Sequence, residues 1–205
     1  MEKGMITKPL FTSVIFLVLY TLLFGLIYPG IVTLINHSLF PEKAKGSLIY
    51  QNGKIIGSEF LGQEFSDPKY FWSRPSATDF PYNPAASTGS NLSSANPLFI
   101  KNAEKRIQAL QNADLSNSKP IPIDLITTSG SGLDPHISVA AALYQVQRVA
   151  KKRHLNENIV FELVKSSIEH RQFGFLGESR VNVVKLNIKL DQIGITHNGT
   201  AKTRS

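Results

Sequence analysis

Between Pro9 and Pro41 the chain carries no Asp, Glu, Lys or Arg. Within that window "LFTSVIFLVLYTLLFGLIY", Leu10 to Tyr28, is almost purely apolar. As a helix, such a run rises about 28 Å, close to the hydrocarbon thickness of a bilayer. Thr12, Ser13 and Thr21 interrupt it, and a helix absorbs them by bonding their hydroxyls back to its own carbonyls. With no polar face, the segment is unsuited to the surface of a soluble domain. It is too long for a cleaved signal, and the following "PGIVTLINHSLF" lacks small residues in an A-x-A arrangement. Nor does it match a pilin, since the fifth residue after Gly4 is Pro9 rather than Glu. The run therefore predicts a retained transmembrane helix over residues 9–35, bent near Pro29-Gly30 because an internal proline removes a helix bond. Residues 1–8 form a short tail before it. Lys3, Lys8 and Glu2 on one side and Lys43, Lys45 and Glu42 on the other leave the positive-inside comparison tied.

Beyond a linker at residues 36–46, residues 47–191 carry the mixed signals of an α+β soluble domain, so the fold class is an α+β domain tethered by one N-terminal transmembrane helix. "LIYQNGKIIGSEF" places Asn52-Gly53 between two β-prone runs, the signature of a hairpin. From Asp67 to Pro97 the chain is punctuated by Pro, Gly, Ser and Asn, yet it also holds Tyr70, Phe71, Trp72, Phe80 and Tyr82. Those aromatics argue against disorder and point to an ordered loop draped over the surface, a candidate binding face. Three helices are expected next. One runs from Pro97 to about Ala113, with Ile100, Ala103, Ile107 and Leu110 as its stripe. One spans Val139 to Arg153 behind a Ser138 cap. The third runs from Asn156 to His170, with Ile168 inward. "RVNVVKLNIKLD" alternates well enough to read as a strand, with Asn182, Val184, Leu186, Ile188 and Leu190 on one side. Residues 192–205 read as a polar, frayed tail.

The chain has no cysteine, which excludes disulfides, thiolate zinc sites and cysteine nucleophiles. Its net charge of +7 is scattered apart from "KKRH" at Lys151–His154. That cluster suits a helix C-terminus, and no basic stripe with interleaved aromatics marks nucleic acid as a partner. The chemistry-bearing residues gather in "DLITTSGSGLDPHIS", Asp124 to Ser138. It lacks the Lys of a phosphate loop and the third Gly of a dinucleotide fingerprint. Ser129, Gly130, Ser131 and Gly132 could still present backbone N–H groups as a nest for an anion or nucleotide. The G-x-S-x-G spacing of a nucleophile elbow is missing, though Ser131, Asp134 or His136 could serve a membrane-tethered hydrolase, which stays as the alternative. One His and one Asp are too few for a metal, and His37, His136, His154, His170 and His197 show no paired spacing.

Taken together, "GQEFSDPKYFWSRPSA", "STGSNL…NP", "DLITTSGSGLDPHIS", "QVQRVAKKR" and "LGESRVNVVKLNIKLD" resemble the C subunit of the bacterial Kdp potassium-transporting ATPase, from the anchor to Asp191. Thr88 departs from the Gly, and Ser93-Ser94 from the Gly-Pro, of many relatives. That pump is a multi-subunit P-type ATPase whose separate hydrolysing subunit is phosphorylated at D-K-T-G-T. No such motif occurs here, so the resemblance implies an accessory subunit with no catalytic residue. It further implies a role in assembly and as a catalytic chaperone that raises ATP affinity. ATP would be met in a ternary complex rather than held as a tight cofactor. The implied partners are the potassium-channel-like subunit and the ATP-hydrolysing subunit in the plasma membrane. The implied topology is a cytoplasmic N-terminus with the domain on the outer face. Arg74, Pro75, Ser76, Ser90, Asn91, Asp134 and His136 are the residues expected to meet a partner.

Overall fold

A computed structural model describes the backbone of residues 3–201 and the side chains of residues 8–193. It divides into two compact units, Met1–Leu48 and Ile49–Ser205, described in turn.

The first unit is helical. α1 (Lys3–Leu22) passes through a π-helical turn at Leu23–Ile27 into α2 (Tyr28–Leu39). Where a bend was expected at Pro29-Gly30, the irregularity is this π-helical turn just before the proline. Pro29 would press on the carbonyl of Gly25, four residues back, and the turn widens so that Tyr28 donates to Leu23 instead. The apolar helix from Lys8 to Leu39 has 32 residues, about 48 Å at helical rise and more than a bilayer core needs. Thr12 and Ser13 donate to the carbonyls of Lys8 and Pro9, four residues back. Across residues 36–46, read as a linker, α2 runs to Leu39 and a short helix, α3 (Pro41–Ala44), follows.

In the second unit β1 (Leu48–Gln51, its first residue at the boundary) and β2 (Lys54–Ser58) form the expected two-stranded sheet. Asn52 and Gly53 have φ of 51° and 75°, as a two-residue I′ hairpin requires. α4 (Pro97–Ala113) starts at an Asn96 cap, whose side-chain oxygen accepts from the Leu98 N–H. α5 (Val139–Arg153) starts at Ser138, as expected, and ends on His154 in the left-handed region. α6 (Glu157–Lys165) is shorter than expected, and Ile168 lies in a strand, β4 (Ile168–Glu169), instead of on the helix. β3 (His136–Ser138), β5 (Arg180–Asn182) and β4 make an antiparallel sheet in the order β3-β5-β4. Ile137 and Ile168 both face Val181 across it.

The strand expected over "RVNVVKLNIKLD" stops after three residues. α7 (Val183–Ala201) takes over. The residues that become fully buried are Val183, Val184, Leu186, Asn187 and Leu190, at helical spacing. Asn187 disguises that stripe in the sequence, since a polar residue in a buried helical row looks like a change of face. Asn182 ends the strand and caps this helix, its side-chain oxygen accepting the Lys185 N–H at 3.1 Å. The helix also enters the stretch read as a frayed tail, up to Ala201; residues 202–205 lie outside the described residues.

The core joins α5, α6 and α7 to the sheet: Ile137, Val146, Val149, Val160, Val164, Val181, Leu186 and Leu190 are all buried. Phe71 and Trp72 belong to it as well, so the aromatic loop is corrected from a surface drape to a segment threaded through the interior. Extended backbone in a core needs partners for every N–H and C=O. Two side-chain amides supply them. Asn187 accepts from Phe71 N–H (2.9 Å) and donates to its carbonyl (3.0 Å). Gln145 does the same for Trp72, at 2.7 and 3.1 Å. The pair acts as the neighbouring strand the segment lacks.

Candidate functional site

The Asp124–Ser138 stretch begins in a 3₁₀ turn (Ile123–Leu125). There the Asp124 carboxylate accepts from the Ser138 N–H at 2.7 Å and its hydroxyl at 3.1 Å. With its proton turned to Asp124, the Ser138 oxygen is free to accept the Ala141 N–H at 3.0 Å. The two ends of the stretch are thereby closed on the α5 cap.

Its middle is bonded to the Arg74–Ala77 segment and to Ser87-Thr88. Arg74 donates to Thr128 C=O (2.9 Å) and Ser76 Oγ to Gly132 C=O (2.7 Å). Ser129 N–H reaches Pro75 C=O at 3.4 Å. The Ser131 carbonyl accepts both Ser87 Oγ and Thr88 N–H at 3.0 Å. The approach is so close that glycine is needed. A Cβ on Gly132, where φ is +69°, would lie 2.7 Å from Thr88 O, and one on Gly89 2.9 Å from Gly130 O. Gly130 itself has open space around it. The R-P-S-A and S-G-S-G-L-D-P-H-I-S motifs, remote in sequence, are thus two halves of one joint. Tyr82 completes it, donating to Arg74 C=O at 2.6 Å, and burial pushes its phenol above the ordinary range.

A chain of charges leaves this joint and crosses the sheet. Arg74 lies 3.7 Å from Asp134, Asp134 3.1 Å from His136 Nδ1, and His136 Nε2 3.4 Å from Glu169. Glu169 in turn meets Arg180 at 3.1 Å and Lys185 at 3.8 Å, and Lys185 meets Glu59 at 3.0 Å. Burial works to raise the Asp134 carboxyl. The bonds from the His136 ring and N–H, with the His136 and Arg74 charges, outweigh it and hold the carboxyl below its ordinary value.

Of the residues singled out in sequence, Arg74, Pro75, Ser76, Asp134 and His136 are brought together with Ser129–Gly132. Ser90 and Asn91 follow Gly89 and add no hydrogen bond to the joint among the described residues. The hydrolase constellation is not assembled. Ser131 Oγ accepts from Leu133 N–H at 3.1 Å, while both ring nitrogens of His136 face carboxylates. The N–H groups of Gly130, Ser131 and Gly132 have no acceptor among the described residues. Gly130 and Ser131 border a shallow hollow that also takes in Asp134, His136 and Arg180.

Sequence reasoning missed the support beneath Trp72. The Arg106 and Arg148 guanidiniums lie over its ring, 5.1 and 4.5 Å from the centroid. Arg148 is buried and donates to the carbonyls of Pro68 and Tyr70 and to Gln145. Burial lowers it to about 10, against the pull of Asp114. Arg153, inside the cluster read as a solvated helix end, binds Asp191 at 2.6 Å and lies over Tyr70. The available signal was a lone arginine on an otherwise uncharged helix face, since Arg148 follows Ala141, Tyr144 and Gln145 at helical spacing.

Residues 10–192 match the family model for the K+-transporting ATPase, c chain. The match takes in the apolar helix and the domain with its joint. The chain belongs to this family. Among curated relatives, the potassium-transporting ATPase KdpC subunit of Methylococcus capsulatus is 54% identical over 182 residues, covering 88% of this chain and 96% of the relative. The KdpC subunit of Burkholderia orbicola is 51% identical over 185 residues, covering 90% and 96%. That of Dechloromonas aromatica is 54% identical over 177 residues, covering 86% and 93%. The KdpC family thus spans both units of the fold.

Proposed function

We propose that this chain is the non-catalytic C subunit of a potassium-transporting ATPase. In this reading it assembles and stabilises a complex with the channel-like potassium-moving subunit and the ATP-hydrolysing subunit, and raises the latter's affinity for ATP. One observation carries it: the family match runs unbroken through helix and domain, in a chain without a phosphorylation motif. The joint at Gly132 supports a scaffolding role, because the Ser76 and Ser87 hydroxyls and the Gly132 and Ser131 carbonyls are spent on one another rather than aimed at a substrate.

The helix spans the plasma membrane once, with the N-terminus inside and the domain outside. ATP then lies across the membrane from the domain, and any gain in ATP affinity is a coupling free energy passed through the membrane subunits. With the opposite topology, the free N–H groups of Gly130–Gly132 would meet ATP phosphates directly in a ternary complex. The cysteine-free sequence makes the topology measurable by single-cysteine labelling.

The experiment is purification in mild detergent with mass spectrometry of companions, followed by ATPase assays with and without the chain. Recovery with a P-type ATPase subunit, and a lower KM for ATP when the chain is present, are expected. Recovery of the chain alone would overturn the reading.

A further inference from the structure

Residues 170–179, "HRQFGFLGES", connect β4 to β5 and project from the sheet as a second, small hairpin. Gln172 and Leu176 exchange both backbone hydrogen bonds at 2.9 Å. Phe173 and Gly174 turn the chain with φ of 53° and 81°, and Gly177 has φ of 78°. Arg171 grips both oxygens of Glu178 at 2.7 and 2.6 Å across the base. One rung below, Arg180 meets Glu169 at 3.1 Å. The tip is therefore mounted firmly on the central sheet.

Its side chains are those a soluble surface least favours. Phe173 is 86% exposed, Phe175 71% and Leu176 47%. Phe173 is costly twice over: its ring stands in water, and it holds a left-handed backbone that Gly or Asn would adopt more easily. Neither cost brings a contact within the domain. A rigid aromatic pair beside a leucine, ringed by polar groups, is the composition of an interface anchor.

We infer that this hairpin is a docking knob for an apolar socket on another protein subunit of the ATPase. The inference rests on the subunit reading above. A protein socket fits better than a lipid surface on charge. Arg171 is neutralised by Glu178, whose side chain is 83% exposed, so the base of the knob offers no net cation to anionic headgroups. The fixed turn also favours a shaped partner, because little freedom is left to lose on docking.

The test uses the full chain within the assembled complex. Phe173 is replaced by the photoreactive p-benzoylphenylalanine, and the membrane-embedded complex is irradiated. The expected product is a covalent adduct with another ATPase subunit. Adducts with lipid only, or none from a complex that has formed, would overturn the inference. In a second arm, Phe173→Ser with Phe175→Ser should lower recovery of companion subunits by about tenfold, as loss of an aromatic anchor does. The urea midpoint of the domain should stay unchanged, because neither ring packs within it. Undiminished recovery would also overturn it. If the unaltered chain recovers no ATPase subunit, the subunit reading fails first and takes this inference with it.

Discussion

Asn187→Leu is the sharpest probe of how this domain is held together. The wild-type amide satisfies the buried N–H and C=O of Phe71. Leucine is close to it in size, so the change removes hydrogen bonds without opening a cavity. Two buried backbone groups left unpaired cost about 1–3 kcal/mol each. The more apolar side chain returns about 1–2 kcal/mol by its own burial. The net expected loss is about 3 kcal/mol. Trp72 is the sole tryptophan and sits in the segment being released, so its fluorescence reports the event directly. Urea denaturation of the full chain in mild detergent gives the change as midpoint shift times slope. Gln145→Leu should cost at least as much, since Gln145 also accepts from Arg148. A loss under about 0.5 kcal/mol for Asn187→Leu, the scatter of ordinary surface changes, would refute the idea that these amides stand in for a missing strand.

Two other predictions concern the joint. Gly132→Ala should destabilise the domain by more than about 1 kcal/mol, through both its left-handed φ and the clash with Thr88 O, whereas Gly130→Ala should be nearly silent; the same urea assay separates them. Asp134 has a carboxyl pKa depressed in the folded state, so its contribution is present above the unfolded value near about 4 and is lost as pH falls through the lower folded value. Asp134→Asn should flatten the stability profile below about pH 4; an unaltered acid limb would count against the Arg74–Asp134–His136 chain.

Much of the architecture was legible because it depends on local rules. Asn52-Gly53 demanded a hairpin, Asn96-Pro97 and Ser138 announced helix starts, and a run without charge could only be a lipid-facing or deeply buried helix. The misreadings came where long-range contacts overrode those rules. Phe71 and Trp72 sit among Pro, Gly and Ser, so nothing nearby signals burial; Gln145 and Asn187, 73 and 116 residues away, make it possible. The same Asn187 broke the apolar pattern of α7 and let a helix pass for a strand.

The candidate site divides in the same way. By itself, the sequence determined that "DLITTSGSGLDPHIS" lacks the residues of a phosphate loop, a serine elbow or a metal centre, since those depend on residue type and spacing. It also determined an apolar helix long enough to cross a bilayer, because length and composition alone decide that. Only the tertiary structure decided what the stretch is for within the domain. Ser76 and Gly132 are 56 residues apart in sequence and bonded in space, and no local pattern encodes which distant carbonyl a serine will find. The exposed Phe173 and Phe175 belong there too: in sequence they are two more hydrophobic residues, and only the fold shows that the core has no place for them.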